Sequence, residues 1–226
     1  MPRRRPVQLE LPVRTHGGRR RGAGRPRSGT AGVPHRERKA LASRYPVHVT
    51  LRIRSDAPRL RGSRTARLLR NAIRAGSDRL GMRVVHYSIQ SNHVHLLCEA
   101  TDAQALTRGL QGLAVRIARR LNRAHSRAGR ICADRYHARI LRTPREVRNC
   151  LVYVLGNWRH HGGGKYLRES LDPCSSAAWF DGFREKLLPL PRDAEPPAAA
   201  PRTWLLGVGW RRHGLISITE GAWARR

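Results

Sequence analysis

The sequence predicts an α+β fold, a mainly antiparallel sheet with helices on one face. Three observations carry that prediction. Short stretches alternate apolar and polar residues with a period of two, longer stretches repeat apolar residues at helical spacing, and the two kinds follow the order strand, helix, strand, strand, helix, strand, helix.

Tyr45 to Ile53 alternates, with Val47, Val49, Leu51 and Ile53 on one face and His48, Thr50 and Arg52 on the other. It reads as a strand. Ser63 to Leu80 reads as an amphipathic helix whose apolar positions include Ala66, Leu69, Ile73 and Leu80. Met82 to Gln90 alternates again, setting Val85, Tyr87 and Ile89 opposite His86, Ser88 and Gln90. Ser91-Asn92 then supplies turn-forming residues before a strand that opens on His93-Val94-His95. Asp102 can cap a second helix, in which Leu106, Leu110, Leu113, Ile117 and Leu121 recur at helical spacing while Arg108, Arg116, Arg119 and Arg120 point largely outward. Tyr136 to Arg142 follows as a short strand.

The third helix is the best marked. Thr143-Pro144-Arg145-Glu146 combines an N-cap, a proline at the first helical position and a capping-box glutamate. The helix is expected to reach about His160 and to stop at Gly162-Gly163-Gly164. If every apolar strand face turns toward the helices, His48, His86, His93 and His95 share the opposite, open face.

The ends of the 226-residue chain are poor core material. Residues 1–43 are dense in Arg, Gly and Pro, as in Arg3-Arg4-Arg5 and Gly17-Gly18-Arg19-Arg20-Arg21-Gly22, and read as a disordered basic tail. Residues 44–165 form the patterned domain and 166–226 a C-terminal extension, with a Pro/Ala-rich linker at 188–201 and an apolar segment from Trp204 to Ile218. Lysine plus arginine total 46 against 15 acidic residues, a formal net charge of +31. Such a chain attracts a polyanion, because neutralising phosphates releases condensed counterions. Nucleic acid is the expected partner. The sequence has neither an apolar stretch long enough to span a bilayer nor a secretory h-region, so the expected location is cytoplasmic and nucleoid-associated. Cys98, Cys132, Cys150 and Cys174 lie far apart without a C-x-x-C pair, which suggests reduced thiols.

His93 and His95 are two apart on a strand, so their side chains share a face with α carbons about 6.5 Å apart, near enough for two imidazoles to meet at one cation. An isolated His-x-His reads equally well as two hydrogen-bonded or surface imidazoles. On the third helix Tyr153 and Asn157 are four apart and share a face, while Val147, Leu151, Val154 and Trp158 mark a core-facing stripe. A helical aromatic is commonly packing; a phenol beside an amide, turned toward a two-histidine site, is a nucleophile next to its activating centre.

These residues carry a resemblance. Asn92-His93-Val94-His95-Leu96-Leu97 resembles the HUH motif of single-tyrosine transposases, and Tyr153-Val154-Leu155-Gly156-Asn157 resembles their catalytic tyrosine helix. Asp134-Arg135-Tyr136-His137-Ala138-Arg139 and Thr143-Pro144-Arg145-Glu146 resemble the link into that helix. The nearest subgroup is the REP-associated tyrosine transposases, relatives of insertion-sequence transposases that act on single-stranded DNA hairpins. The likeness spans residues 45–165 and departs from many relatives where Trp158-Arg159-His160-His161, rather than proline, follows Asn157.

The resemblance implies a ferredoxin-like, HUH endonuclease-like fold. It implies that His93, His95 and Asn157 hold Mg²⁺ or Mn²⁺ and that Tyr153 nicks single-stranded DNA carrying hairpins or palindromic repeats, through a 5′-phosphotyrosine link. His48, Arg52, Arg116, Arg119, Arg120, Arg135 and Arg139 are the expected DNA contacts, and a homodimer is admissible. Of the other tyrosines, Tyr45 and Tyr87 fall on strands and Tyr136 and Tyr166 in connections. The alternative reading is a non-catalytic single-stranded DNA or structured-RNA binding protein that keeps the fold.

Overall fold

The structure, a computed structural model, describes residues 40–158, 171–187, 190 and 195–221. The basic tail through residue 39 and the expected helix end at His160 and Gly162-Gly163-Gly164 lie outside the described residues.

Five strands form one sheet in the order β2-β3-β4-β1-β5, every pairing antiparallel. They are β1 (Val47–Arg52), β2 (Asp78–Arg79), β3 (Met82–Ile89), β4 (His93–Ala100) and β5 (His137–Ile140). The crossover helix α1 (Ser63–Gly76) joins β1 to the β2-β3 hairpin, and α2 (Ala103–Ala124) joins β4 to β5. The four strands β3-β4-β1-β5 thus have ferredoxin-like order, as expected.

One face is built as the alternation predicts. Val47, Val49 and Leu51 of β1 and Val94, Leu96 and Cys98 of β4 meet Leu69 and Ile73 of α1 and Leu106, Leu110, Leu113, Ile117 and Leu121 of α2 in the larger core. Asp102 caps α2 by accepting from the Ala105 amide at 2.7 Å. The third helix, α3 (Pro144–Gly156), starts on the expected capping box: Thr143 Oγ1 accepts from the Glu146 amide, and the Glu146 carboxylate accepts from the Thr143 amide. It packs on the second face, where Val147, Leu151, Val154 and Leu155 meet Val85 and Leu97.

Three local readings change. The first helix stops at Gly76, not Leu80, because Leu80 (φ 57°) and Gly81 (φ 74°) form a tight hairpin turn that pairs Asp78-Arg79 with Met82-Arg83. Leu80 is therefore exposed. A bulge between Val84 and His86 moves Val85 to the second face, while Tyr87 and Ile89 stay on the first. The second face is also not open throughout: His86 is buried, 3.2 Å from Ser176 Oγ and edge-on to Phe180.

The chain after α3 packs back on the sheet. Along the outer edge of β3, Ser176 N donates to Tyr87 O, Ile89 N to Cys174 O, and Ala199 N to Val84 O, so this edge is paired. Asp172, buried, takes both Arg61 Nη atoms at 3.0 and 2.7 Å. A short α4 (Trp204–Gly207) and the 3-10 turn Gly209–His213 complete the second core with Leu205, Leu206 and Trp210. All four cysteines are free; Cys98, Cys150 and Cys174 are buried and Cys132 half-buried.

Candidate active site

The β1–β4 register creates the site. Arg52 lies opposite His93, Thr50 opposite His95 and His48 opposite Leu97, so the polar positions of β1 stand beside the two histidines on the second face. β5 adds His137 opposite Thr50 and Arg139 opposite His48. α3 crosses above, and Tyr153 comes down beside them.

Distances show the convergence. His93 Nε2 and His95 Nε2 are 2.9 Å apart, and the Tyr153 hydroxyl is 3.3 Å from His95 Nε2. The His95 ring centroid is 4.6 Å from that of His93, 5.0 Å from Tyr153 and 5.2 Å from His48. On the far side of the His95 ring, Nδ1 is 3.1 Å from His48 Nε2 and 3.2 Å from Thr50 Oγ1. His93 Nδ1 is 2.8 Å from Asn92 Oδ1. Each imidazole thus has a partner on Nδ1, and protons placed there leave both Nε2 lone pairs facing one point.

Burial sets the electrostatics. Desolvation, followed by the charges of His137 and Arg139, pushes His48 down to about 4, so it is neutral at physiological pH. Burial, with a smaller push from Cys150, raises the Tyr153 phenol above its ordinary range. The tyrosine is therefore un-ionised at rest.

The residues fit a divalent cation. Two nitrogens each about 2.1 Å from one ion and at right angles are about 3.0 Å apart, which matches the His93–His95 separation. Among the described residues no group of three His, Cys, Asp or Glu converges, so side chains of these types supply no third ligand beside the pair. Asn157, one turn beyond Tyr153, is 1% exposed; its atom without a hydrogen-bond partner among the described residues is the side-chain nitrogen, a donor that an acceptor would satisfy and a cation would not, so only its oxygen has the chemistry of a ligand.

The expected DNA contacts fall into two groups. His48, Arg52 and Arg139 share the face of the histidines, Arg52 and Arg139 being exposed and Arg139 paired with Glu146 at 3.1 Å. Arg135 is half-buried in the loop before β5. Arg116, Arg119 and Arg120 belong to α2, and the sheet separates that helix from the histidines. Arg120 donates to the Asn71 carbonyl at 3.0 Å, and Arg116 packs beside Gly76. Thr50 and Asn92 enter the site unannounced. Thr50 had a signal in the β1 alternation, yet its role depends on the pairing register with a strand 45 residues away.

Residues 42–147 match the profile of a family described as IS200-like transposases, a stretch that holds His93 and His95 and ends before Tyr153. No curated protein sequence matches the chain. A solved REP-associated tyrosine transposase bound to a REP hairpin is similar at 16% identity and a TM-score of 0.50, covering 64% of this chain and 82% of that one. A candidate transposase from Deinococcus radiodurans R1 aligns at 18% identity with a TM-score of 0.37, over 50% of this chain and 87% of that chain.

Proposed function

We propose, for a chain that belongs to the IS200-like transposase family through residues 42–147, that it nicks and rejoins single-stranded DNA beside a hairpin, with Tyr153 as the nucleophile. The observation that carries the proposal is the Tyr153 hydroxyl 3.3 Å from His95 Nε2, which lies 2.9 Å from His93 Nε2. A hairpin substrate is supported by the fold shared with a transposase solved on a REP hairpin.

His93, His95 and Asn157 would hold Mg²⁺ or Mn²⁺, two imidazoles favouring Mn²⁺ and cellular abundance favouring Mg²⁺. When bound, the ion supplies Lewis-acid polarisation of the scissile phosphate. The other roles belong to the chain. His48 and Thr50 hold the His95 ring through Nδ1, and Asn92 does the same for His93. Arg52 and Arg139 flank the pair on the same face, where they can receive phosphates. Tyr153 attacks phosphorus in line; its oxygen takes the 5′-phosphoryl group and the departing strand keeps a 3′-hydroxyl, so the phosphodiester energy is retained for rejoining.

The test is nicking of a single-stranded hairpin with Mg²⁺, with Mn²⁺ and with chelator, by the wild type and by Tyr153→Phe. The expected result is metal-dependent nicking lost in Tyr153→Phe, with DNA binding kept. Nicking that survives the loss of the Tyr153 hydroxyl would contradict the assignment.

A further inference from the structure

The helix that presents Tyr153 is gripped from outside the sheet. Arg148, five residues before the tyrosine on α3, spends its whole guanidinium on the C-terminal segment. Nη1 and Nη2 donate to the two Glu220 carboxylate oxygens at 2.6 and 2.9 Å, Nε to the Gly214 carbonyl at 3.0 Å and Nη2 to the Leu215 carbonyl at 3.1 Å. The Arg148 side chain is 13% exposed and that of Glu220 27%. Exposed ion pairs contribute little, but a bidentate, largely covered fork fixes both distance and angle.

The same segment reaches the other end of the helix. A Cβ on Gly156 would sit 3.6 Å from the Glu220 carbonyl oxygen, and Ile216 and Trp210 pack in the core that holds Val147, Leu151, Val154 and Leu155. Glu220 is fixed in its turn, since its amide donates to the Ser217 carbonyl and its carboxylate accepts from the Ser217 amide. The Arg148 guanidinium holds the Glu220 carboxyl below its ordinary range. The family match stops at residue 147, so Arg148 and all these partners lie beyond it.

We infer that Arg148 is a positioning residue for strand cleavage: by tying α3 to Gly214–Glu220, it sets the Tyr153 hydroxyl over the His93–His95 pair of the same chain. The inference rests on Tyr153 being the nucleophile. In-line attack tolerates little misplacement, and an error of about 1 Å can cost about a hundredfold in rate. Loss of the grip therefore acts on the chemical step. DNA affinity, carried by arginines elsewhere, is left alone.

The experiment uses the full chain and three variants, Glu220→Gln, Arg148→Lys and the charge swap Arg148→Glu with Glu220→Arg. It measures the single-turnover nicking rate at saturating hairpin with Mn²⁺, the covalent Tyr153–DNA adduct by peptide mapping, the hairpin Kd, and hydrogen exchange across α3 and β4. Glu220→Gln and Arg148→Lys are expected to slow nicking about ten- to hundredfold, with Kd unchanged. Exchange should rise in α3 and not in β4, and the swap should recover part of both effects. Faster α3 exchange with an unchanged rate would reduce the grip to a stabilising contact and overturn the proposal. So would unaltered exchange, or a rate loss matched by an equal loss of affinity. A wild-type chain that forms no Tyr153 adduct overturns the nucleophile assignment and this proposal with it; a wild-type adduct beside unaffected variants overturns this proposal alone.

Discussion

His95 is engaged at both ring nitrogens, and the two sides do different work. Nε2 faces His93 and Tyr153, while Nδ1 meets His48 and Thr50. Replacing His95 with Ala should abolish nicking and leave most DNA binding, because affinity comes from the arginines; nicking assays paired with a binding titration check this. His48, an expected DNA contact, also lies 3.1 Å from His95 Nδ1, where it can support that ring. His48→Ala should then raise the Mn²⁺ concentration for half-maximal nicking by about ten- to hundredfold, with most of the rate recovered at saturating metal. A loss that added metal does not recover would return His48 to the DNA-binding surface. At this scale the sequence was legible where it was local: His93 and His95 stand out from one short motif and Tyr153 from another, and the fold brings these three together. Thr50 was not, because its meeting with His95 requires the β1–β4 register.

Among elements, β3 departs most from its pattern, and His86 shows the consequence. Buried against Phe180 and Ser176, its imidazole is pushed down to about 4 by desolvation, with Asp181 acting weakly the other way. The folded state thus holds fewer protons than the unfolded state between pH 6.5 and about 4. The stability from a neutral His86 is full above the unfolded pKa of about 6.5 and is lost as pH falls toward 4, by at most about 1.4 kcal/mol per pH unit. Urea unfolding from about pH 7 to about pH 4.5 should show a shallower loss in His86→Gln, which cannot titrate; an identical slope would mean that His86 titrates alike in the folded and unfolded chain. The capping box of α3 was legible because Thr143 and Glu146 are three apart and bond within their own turn. The bulge at Val85 and the turn at Leu80-Gly81 were not. Both are set by pairing partners, and an alternating string of apolar residues cannot show where one residue is inserted.

Across the whole molecule, charge and connectivity were the readable properties, and the packing of the C-terminal chain was not. Segments such as Cys174–Ser176 and Ala199 reveal their role only through the β3 edge they cover. A net charge of +31 with a basic segment at residues 1–43 predicts that removing the segment weakens binding to all single strands. The log–log salt slope should flatten by about 0.7 for every phosphate that the segment neutralises, with cleavage at saturating DNA intact. An unchanged slope would show that the segment neutralises no phosphates. The described fold also brings Tyr153 and His95 together within one chain. Mixing His95→Ala with Tyr153→Phe should therefore give no nicking, whereas recovered activity would mean that two chains share a site. The most direct measurement uses the intact protein, divalent metal and a hairpin strand labelled on the 5′ side or the 3′ side of the cut. Tyrosine attack that expels a 3′-hydroxyl leaves only the 3′-side label on protein, with peptide mapping placing it at Tyr153. A label retained from the 5′ side, or an adduct mapped to any other residue, contradicts the account.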